Sequence, residues 1–178
     1  LGAGFVPHLR LGTAPHPDRH ARGAFFGLST DVTRGCLFRA VLEGLAADSR
    51  LCAERMLELA PTAPIETVRV IGGLTRNALY MRIKASMLDR ELSLLDLPDS
   101  VAQGAAMLAG IAAGLYRDLE EAVAATRGPE HQVAPEPEAH VLYERLVAEV
   151  YAGAWAALRP LHEARRGLGD LAGAPDEA

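Results

Sequence analysis

Thr67-Val-Arg-Val-Ile-Gly-Gly-Leu-Thr-Arg-Asn-Ala78 is the stretch on which the reading of this chain turns. Apolar and β-favouring residues run into the pair Gly72-Gly73, and a helix-period pattern starts directly after it. A strand that ends in two glycines and feeds a helix near Asn77 leaves backbone amides bare at the helix start. With no Cβ in the way, a flat ring or a phosphate can approach that main chain closely. In α/β sheets such crevices, at the carboxyl ends of strands, are where nucleotides bind. The same two glycines also suit a plain tight turn between strand and helix, and the motif alone leaves both readings open.

On the N-terminal side, residues 1–33 carry turn signals (Gly2, Gly4, Pro7, Gly12, Pro15, Pro17, Gly23) and are expected to be loop. From about 34 to 60, Leu37, Val41, Leu45, Cys52, Met56 and Leu59 recur at helix spacing, with Pro61 beyond the end. Gly44 interrupts that helix at a cost of about 1 kcal/mol against alanine, a cost offset by close approach of another backbone. On the C-terminal side, Val68–Ile71 reads as a buried parallel strand and 77–89 as a helix presenting Leu79, Ile83 and Met87. A second strand is expected over 92–97. Pro98-Asp99-Ser100 then stops it and caps a helix over 101–114, whose Gly and Ala on all sides suit tight packing between other elements.

Residues 118–126 read as a short helix and 127–137 as a Pro- and Glu-bearing link. Residues 138–162 read as a final helix that buries Leu142, Leu146, Val150, Trp155 and Leu158. The predicted domain spans 1–162, and 163–178 is expected to be a disordered tail with little to bury.

Bulk properties narrow the class. The chain has 178 residues, 49% hydrophobic and 23% charged, enough for one ordinary globular core. A net charge of -5 argues against a nucleic-acid or acidic-membrane partner, and Lys84 is the only lysine among the 18 basic residues. The longest apolar run, 105–116, is too short for a bilayer, which needs about 20 residues. Leu1-Gly-Ala-Gly shows no charged-then-apolar leader. Cys36 and Cys52 stand on one predicted helix, about 24 Å apart at about 1.5 Å per residue, whereas a disulfide needs Cα atoms within about 7 Å. Two free thiols and no leader make a cytoplasmic location the expectation.

Several segments, in order, resemble one family. Phe5-Val-Pro-His-Leu9, Ala14-Pro-His-Pro-Asp18 and Ala21-Arg-Gly-Ala-Phe-Phe-Gly-Leu28 are similar to the segment preceding the first long helix of the FGGY carbohydrate kinases, a family that includes xylulokinase and glycerol kinase. Arg39-Ala-Val-Leu-Glu-Gly-Leu-Ala46 resembles that helix, Gly72-Gly-Leu-Thr-Arg-Asn77 the adenosine motif, and Ala102-Gln-Gly-Ala-Ala106 with Ala113-Gly-Leu-Tyr116 the closing helix. The resemblance spans roughly residues 5–160. It implies an α/β fold, the actin-like ATPase (ribonuclease H-like) C-terminal domain, here truncated and lacking its first three strands.

The resemblance also implies roles. Gly73 and Asn77 would line the adenine and ribose of ATP, with Gly72 and Leu74 beside them and Thr75 as further lining. Asn77 offers an amide able to donate and accept; capping of the following helix is its structural alternative. Asp99 is expected to cap the helix after it. His8, His16 and His20 cluster with Asp18 in the N-terminal loop, spaced for a metal, yet the family motif places that segment along the interdomain cleft with no metal of its own.

ATP and Mg2+ are the implied cofactors, and a sugar or polyol, bound through the missing N-terminal domain, the implied substrate. The resemblance puts the catalytic aspartate and the phosphate loops in segments this chain lacks. No catalytic residue and no metal ligand is therefore assigned here. Leu11-Gly-Thr-Ala14 departs from the Gly-Glu-Arg of many sugar kinases and leaves the sugar open. Without the leading strands, Val68 and Val70 would be badly covered, so self-association into a homo-oligomer is expected. The alternative function is a non-catalytic remnant that binds nucleotide weakly or serves association. A dinucleotide-binding Rossmann reading fails on spacing, since Ile71-Gly-Gly-Leu-Thr-Arg76 lacks G-x-G-x-x-G.

Overall fold

The computed structural model describes residues 2–12, 14–62, 65, 67–95, 97 and 99–171, with side chains through 168. Its centre is a βαβ unit. Strand β3 (Val68–Val70) leads through a short turn into helix α2 (Ala78–Leu88), which returns the chain to strand β4 (Leu92–Leu95). The strands pair in parallel, with Val68 opposite Leu92 and Val70 opposite Leu94. Helix α2 is buried on most of its surface, including Tyr80, Met81, Ile83, Met87 and Leu88.

The N-terminal 33 residues are less irregular than their sequence suggests. Strands β1 (Gly4–Val6) and β2 (Ala24–Phe26) pair antiparallel, with Phe5 opposite Phe25. Strand β1 is buried along its length because it lies on helix α1 (Arg34–Leu59). That contact explains Gly44, where a Cβ would stand 2.0 Å from the carbonyl oxygen of Phe5. The deeply buried face of α1 is mostly small (Ala40, Gly44, Ala46, Ala47, with Leu42 and Glu43), while Met56 and Leu59 of the expected apolar stripe are exposed. Thr33 caps α1 by accepting from Cys36 N–H. Both cysteines are free thiols.

A third strand joins the sheet where a link was expected. Strand β5 (Glu130–Val133) runs antiparallel to β4, with Leu92 opposite Val133 and Leu95 opposite Glu130. Its polar sequence hides it, because an edge strand needs no apolar alternation. Its anchor is instead a side chain: buried Ser93 donates to the Glu130 carboxylate, which also accepts from Arg127 at 2.6 Å. The order β3-β4-β5 leaves β3 an edge strand among the described residues.

Helix α3 (Ser100–Ala112) differs from the expectation of tight packing between other elements. Gly110 is its only buried residue, and Val101 and Leu108 face solvent. Helix α4 (Leu119–Thr126) is its neighbour, tied on by Gln103, which donates to the Thr126 carbonyl at 2.8 Å.

Helix α5 (Pro137–Leu146) continues through a π turn (Val147–Tyr151) into α6 (Ala152–Leu171). The helix thus runs past His162, into the stretch expected to be a disordered tail; its Ala, Arg, Glu and Leu side chains are strong helix formers. Residues 172–178 of that tail lie outside the described residues. The buried row along this helix is Tyr143, Val147 and Tyr151, one position on from the expected Leu142, Leu146 and Val150.

Candidate functional site

Strand β3 ends at Val70, and the backbone then opens. Gly72 takes φ 96° and ψ 178°, a positive-φ conformation that favours glycine. A Cβ built on Gly72 or on Gly73 would meet nothing within 4 Å. The glycines therefore do not serve close packing inside the protein; their faces look into open space. Gly73–Arg76 form one 3-10 turn. The Thr75 hydroxyl locks it by donating to the Gly72 carbonyl at 2.7 Å. Ile71 and Leu74 are about half exposed on either side of the pair and form an apolar lip. Ile71, expected to belong to the strand, lies one residue past its end.

Asn77 caps α2: its Oδ1 accepts from Tyr80 N–H at 3.0 Å, and its backbone carbonyl accepts from Met81 N–H at 3.0 Å. The structural alternative is thus realised. It does not exhaust the residue, since a cap uses the side-chain oxygen and leaves the NH2 free to donate. The N-terminus of α2 adds its partial positive charge at the same place. Gly72, Gly73, Leu74 and Asn77 thus sit on one short, open turn at the carboxyl end of a parallel strand, a geometry that accepts a flat polar ring or an anion. Asp99 takes the capping role expected of it, accepting from Ala102 N–H at 2.9 Å.

The N-terminal histidines are dispersed. His8 is buried, 3.7 Å from Asp48, while burial pushes the Asp48 carboxyl up. His16 stacks on Trp155 and His20 meets Arg166. The described residues bring no three His, Cys, Asp or Glu side chains together in a metal-binding group.

A parallel βαβ unit whose glycine turn faces solvent beside a capped helix start defines an α/β domain with an exposed glycine turn at the carboxyl end of a parallel strand. The chain belongs to the FGGY family of carbohydrate kinases: residues 2–113 match the family's C-terminal domain. Glycerol kinase from Gloeobacter violaceus is 40% identical over 124 residues, 70% of this chain and 25% of that protein. The crystal structure of xylulose kinase from Rhodospirillum rubrum superposes with a TM-score of 0.71 at 30% identity, covering 91% of this chain and 32% of that one. Ligand-bound xylulose kinase from Lactobacillus acidophilus gives a TM-score of 0.74 at 25% identity over 88% of this chain and 31% of its own. The fold is accordingly the actin-like ATPase C-terminal domain of these kinases. The chain spans about a quarter of the length of the curated relatives it matches. None of the described helices is long and apolar enough to cross a membrane.

Proposed function

We propose that this chain is the nucleotide-binding portion of a carbohydrate kinase. With ATP and Mg2+, the whole protein would move the γ-phosphate to a hydroxyl of a sugar or polyol, either a pentulose such as xylulose or a glycerol-like polyol. The observation that carries the reading is the bare backbone at Gly72 and Gly73, open to 4 Å and more, directly before the capped start of α2. Adenine would lie against that backbone between Ile71 and Leu74, and the Asn77 NH2 would donate to the adenosine. An open backbone beside one apolar lip and one amide fits the adenosine end of ATP.

Mg2+ has no ligand set among the described residues, and in phosphoryl transfer such a metal bridges phosphate oxygens. The family resemblance places base, sugar site and metal in other segments of the kinase, and this chain alone is proposed to transfer no phosphate. Self-association of the isolated chain is supported by the open edge of β3 and by exposed Val101 and Leu108 on α3. A cytoplasmic setting is part of the proposal and agrees with the two free thiols.

The test is Gly73→Val in the full-length kinase, with ATP and the sugar varied in turn. The expected result is a raised KM for ATP with the sugar KM nearly unchanged. A folded variant with an unchanged KM for ATP would show that the glycine pair is only a turn.

A further inference from the structure

Two nitrogens buried without a protein partner belong to residues that share one cavity. Among the described residues, His8 Nδ1 and Trp155 Nε1 are both buried and unpaired. Buried polar groups of folded proteins are nearly always satisfied, by protein or by ordered water. His8 and Trp155 line the same cavity of about 20 Å3, whose walls also include Val6, Leu51, Ala154 and Asp48. One water needs about 10–15 Å3 of such space and at least two polar partners, so the cavity has room for a single water. The two nitrogens are complementary to it. An indole N–H can only donate. His8 turns Nε2 toward Asp48 Oδ1 at 3.7 Å, which places the ring's proton on that nitrogen and leaves Nδ1 with a lone pair.

We propose that this cavity is the site of one structural water molecule, which accepts from the Trp155 indole N–H and donates to His8 Nδ1. The water ties the segment following β1 to α6. A cation would suit only the lone pair and an anion only the N–H, whereas water serves both. The polar side chains around the cavity are otherwise engaged. The Tyr151 hydroxyl accepts from Phe5 N–H at 3.4 Å, and Asp48 faces the other nitrogen of His8. His16 meets the indole with its ring face, centroids 4.6 Å apart and planes 15° from parallel, so it does not stand in line with the indole N–H. Cys52 of α1 donates to the Ala14 carbonyl at 2.9 Å and steadies the segment that carries His16.

A high-resolution crystal structure of the chain tests the site directly. The expected result is one ordered water within hydrogen-bond distance, about 2.7–3.2 Å, of both His8 Nδ1 and Trp155 Nε1. A cavity without density, a water on only one of the two nitrogens, or a direct protein partner for either overturns the proposal. In solution Trp155, the sole tryptophan of the chain, gives a single indole N–H signal. His8→Phe keeps a ring in place and removes the acceptor behind the water. Hydrogen exchange of the indole should then quicken by roughly 2- to 13-fold, the equivalent of one neutral hydrogen bond, beyond any change at the backbone amides of Ala154 and Ala156. Indole exchange that only follows those amides overturns the bridge. Should His8→Phe fail to fold, the crystal structure of the unaltered chain decides alone.

Discussion

The hydroxyl of Tyr143 donates to the carboxylate of Glu43 at 3.1 Å, joining α5 to α1 across 100 positions of sequence. Arg39 completes the triad, reaching Glu43 with Nε at 2.8 Å and Tyr143 with its terminal nitrogen at 3.0 Å. Glu43 is 2% exposed, and these two donors satisfy its carboxylate inside the fold. Residue 143 lies beyond the stretch that matches the family domain, and the triad is one of the ties that fasten this helix to it, beside the buried row Tyr143, Val147 and Tyr151. Glu43→Ala should cost about 1–3 kcal/mol, since it strands a buried phenol and a half-exposed guanidinium; urea unfolding measures it.

Alkaline pH should act through the same triad. Burial first, and then the Glu43 charge, push the Tyr143 phenol from 10.0 up to about 12. A folded-state value above the unfolded one favours the neutral phenol in the native state. Its contribution is therefore complete below pH 10 and lost as pH climbs from 10 to 12. Burial raises Tyr80 and Tyr151 as well, so the variant Tyr143→Phe should show a shallower, not a flat, loss of stability over that range. An unchanged slope would separate Tyr143 from the effect.

Two glycines in helices should respond oppositely to alanine. At Gly44 the new methyl would meet the Phe5 carbonyl oxygen at 2.0 Å, and β1 must move, for a loss of about 2–3 kcal/mol despite better helix propensity. At Gly104 nothing lies within 4 Å, so the same change should stabilise this chain by about 0.5–1 kcal/mol. Thermal unfolding of both variants checks the contrast.

Asn77 can be dissected because its two side-chain atoms do different things. Asn77→Ser keeps an oxygen for the α2 cap and removes the NH2, whereas Asn77→Ala removes both. Only the alanine variant should lose the cap, about 1 kcal/mol of stability. Both should weaken ATP in the full-length kinase by roughly 2- to 13-fold, the equivalent of one neutral hydrogen bond. Serine that binds ATP as asparagine does would confine Asn77 to capping.

Acid should loosen β5. The Ser93 hydroxyl first, and Arg127 second, hold the Glu130 carboxyl below its usual 4.5. A depressed folded-state value stabilises above the unfolded one and fails as pH falls through the folded one. The β4–β5 pairing should therefore weaken below about pH 4.5, and Glu130→Gln should remove that dependence. Amide exchange at Ser93 and Gln132 follows it.

The sequence by itself determined the local grammar of this protein. A run of β-favouring residues into Gly72-Gly73, then helix periodicity from Asn77, fixes strand, turn and helix, because backbone freedom and side-chain period are properties of neighbours in the chain. Gly44 likewise announced a close contact without naming it. Tertiary structure decided what met what. That β1 is the backbone over Gly44, that the mostly polar residues 130–133 complete a sheet, and that Tyr143, Val147 and Tyr151, with Leu146 partly buried beside them, rather than Leu142 and Val150 turn inward each depend on partners distant in sequence. A helix carries two adjacent apolar rows equally well, and only the surface it docks on selects between them. Asn77 shows the division within one residue: its type promised a cap or a ligand contact, and the fold assigned its oxygen to the cap while leaving its nitrogen free.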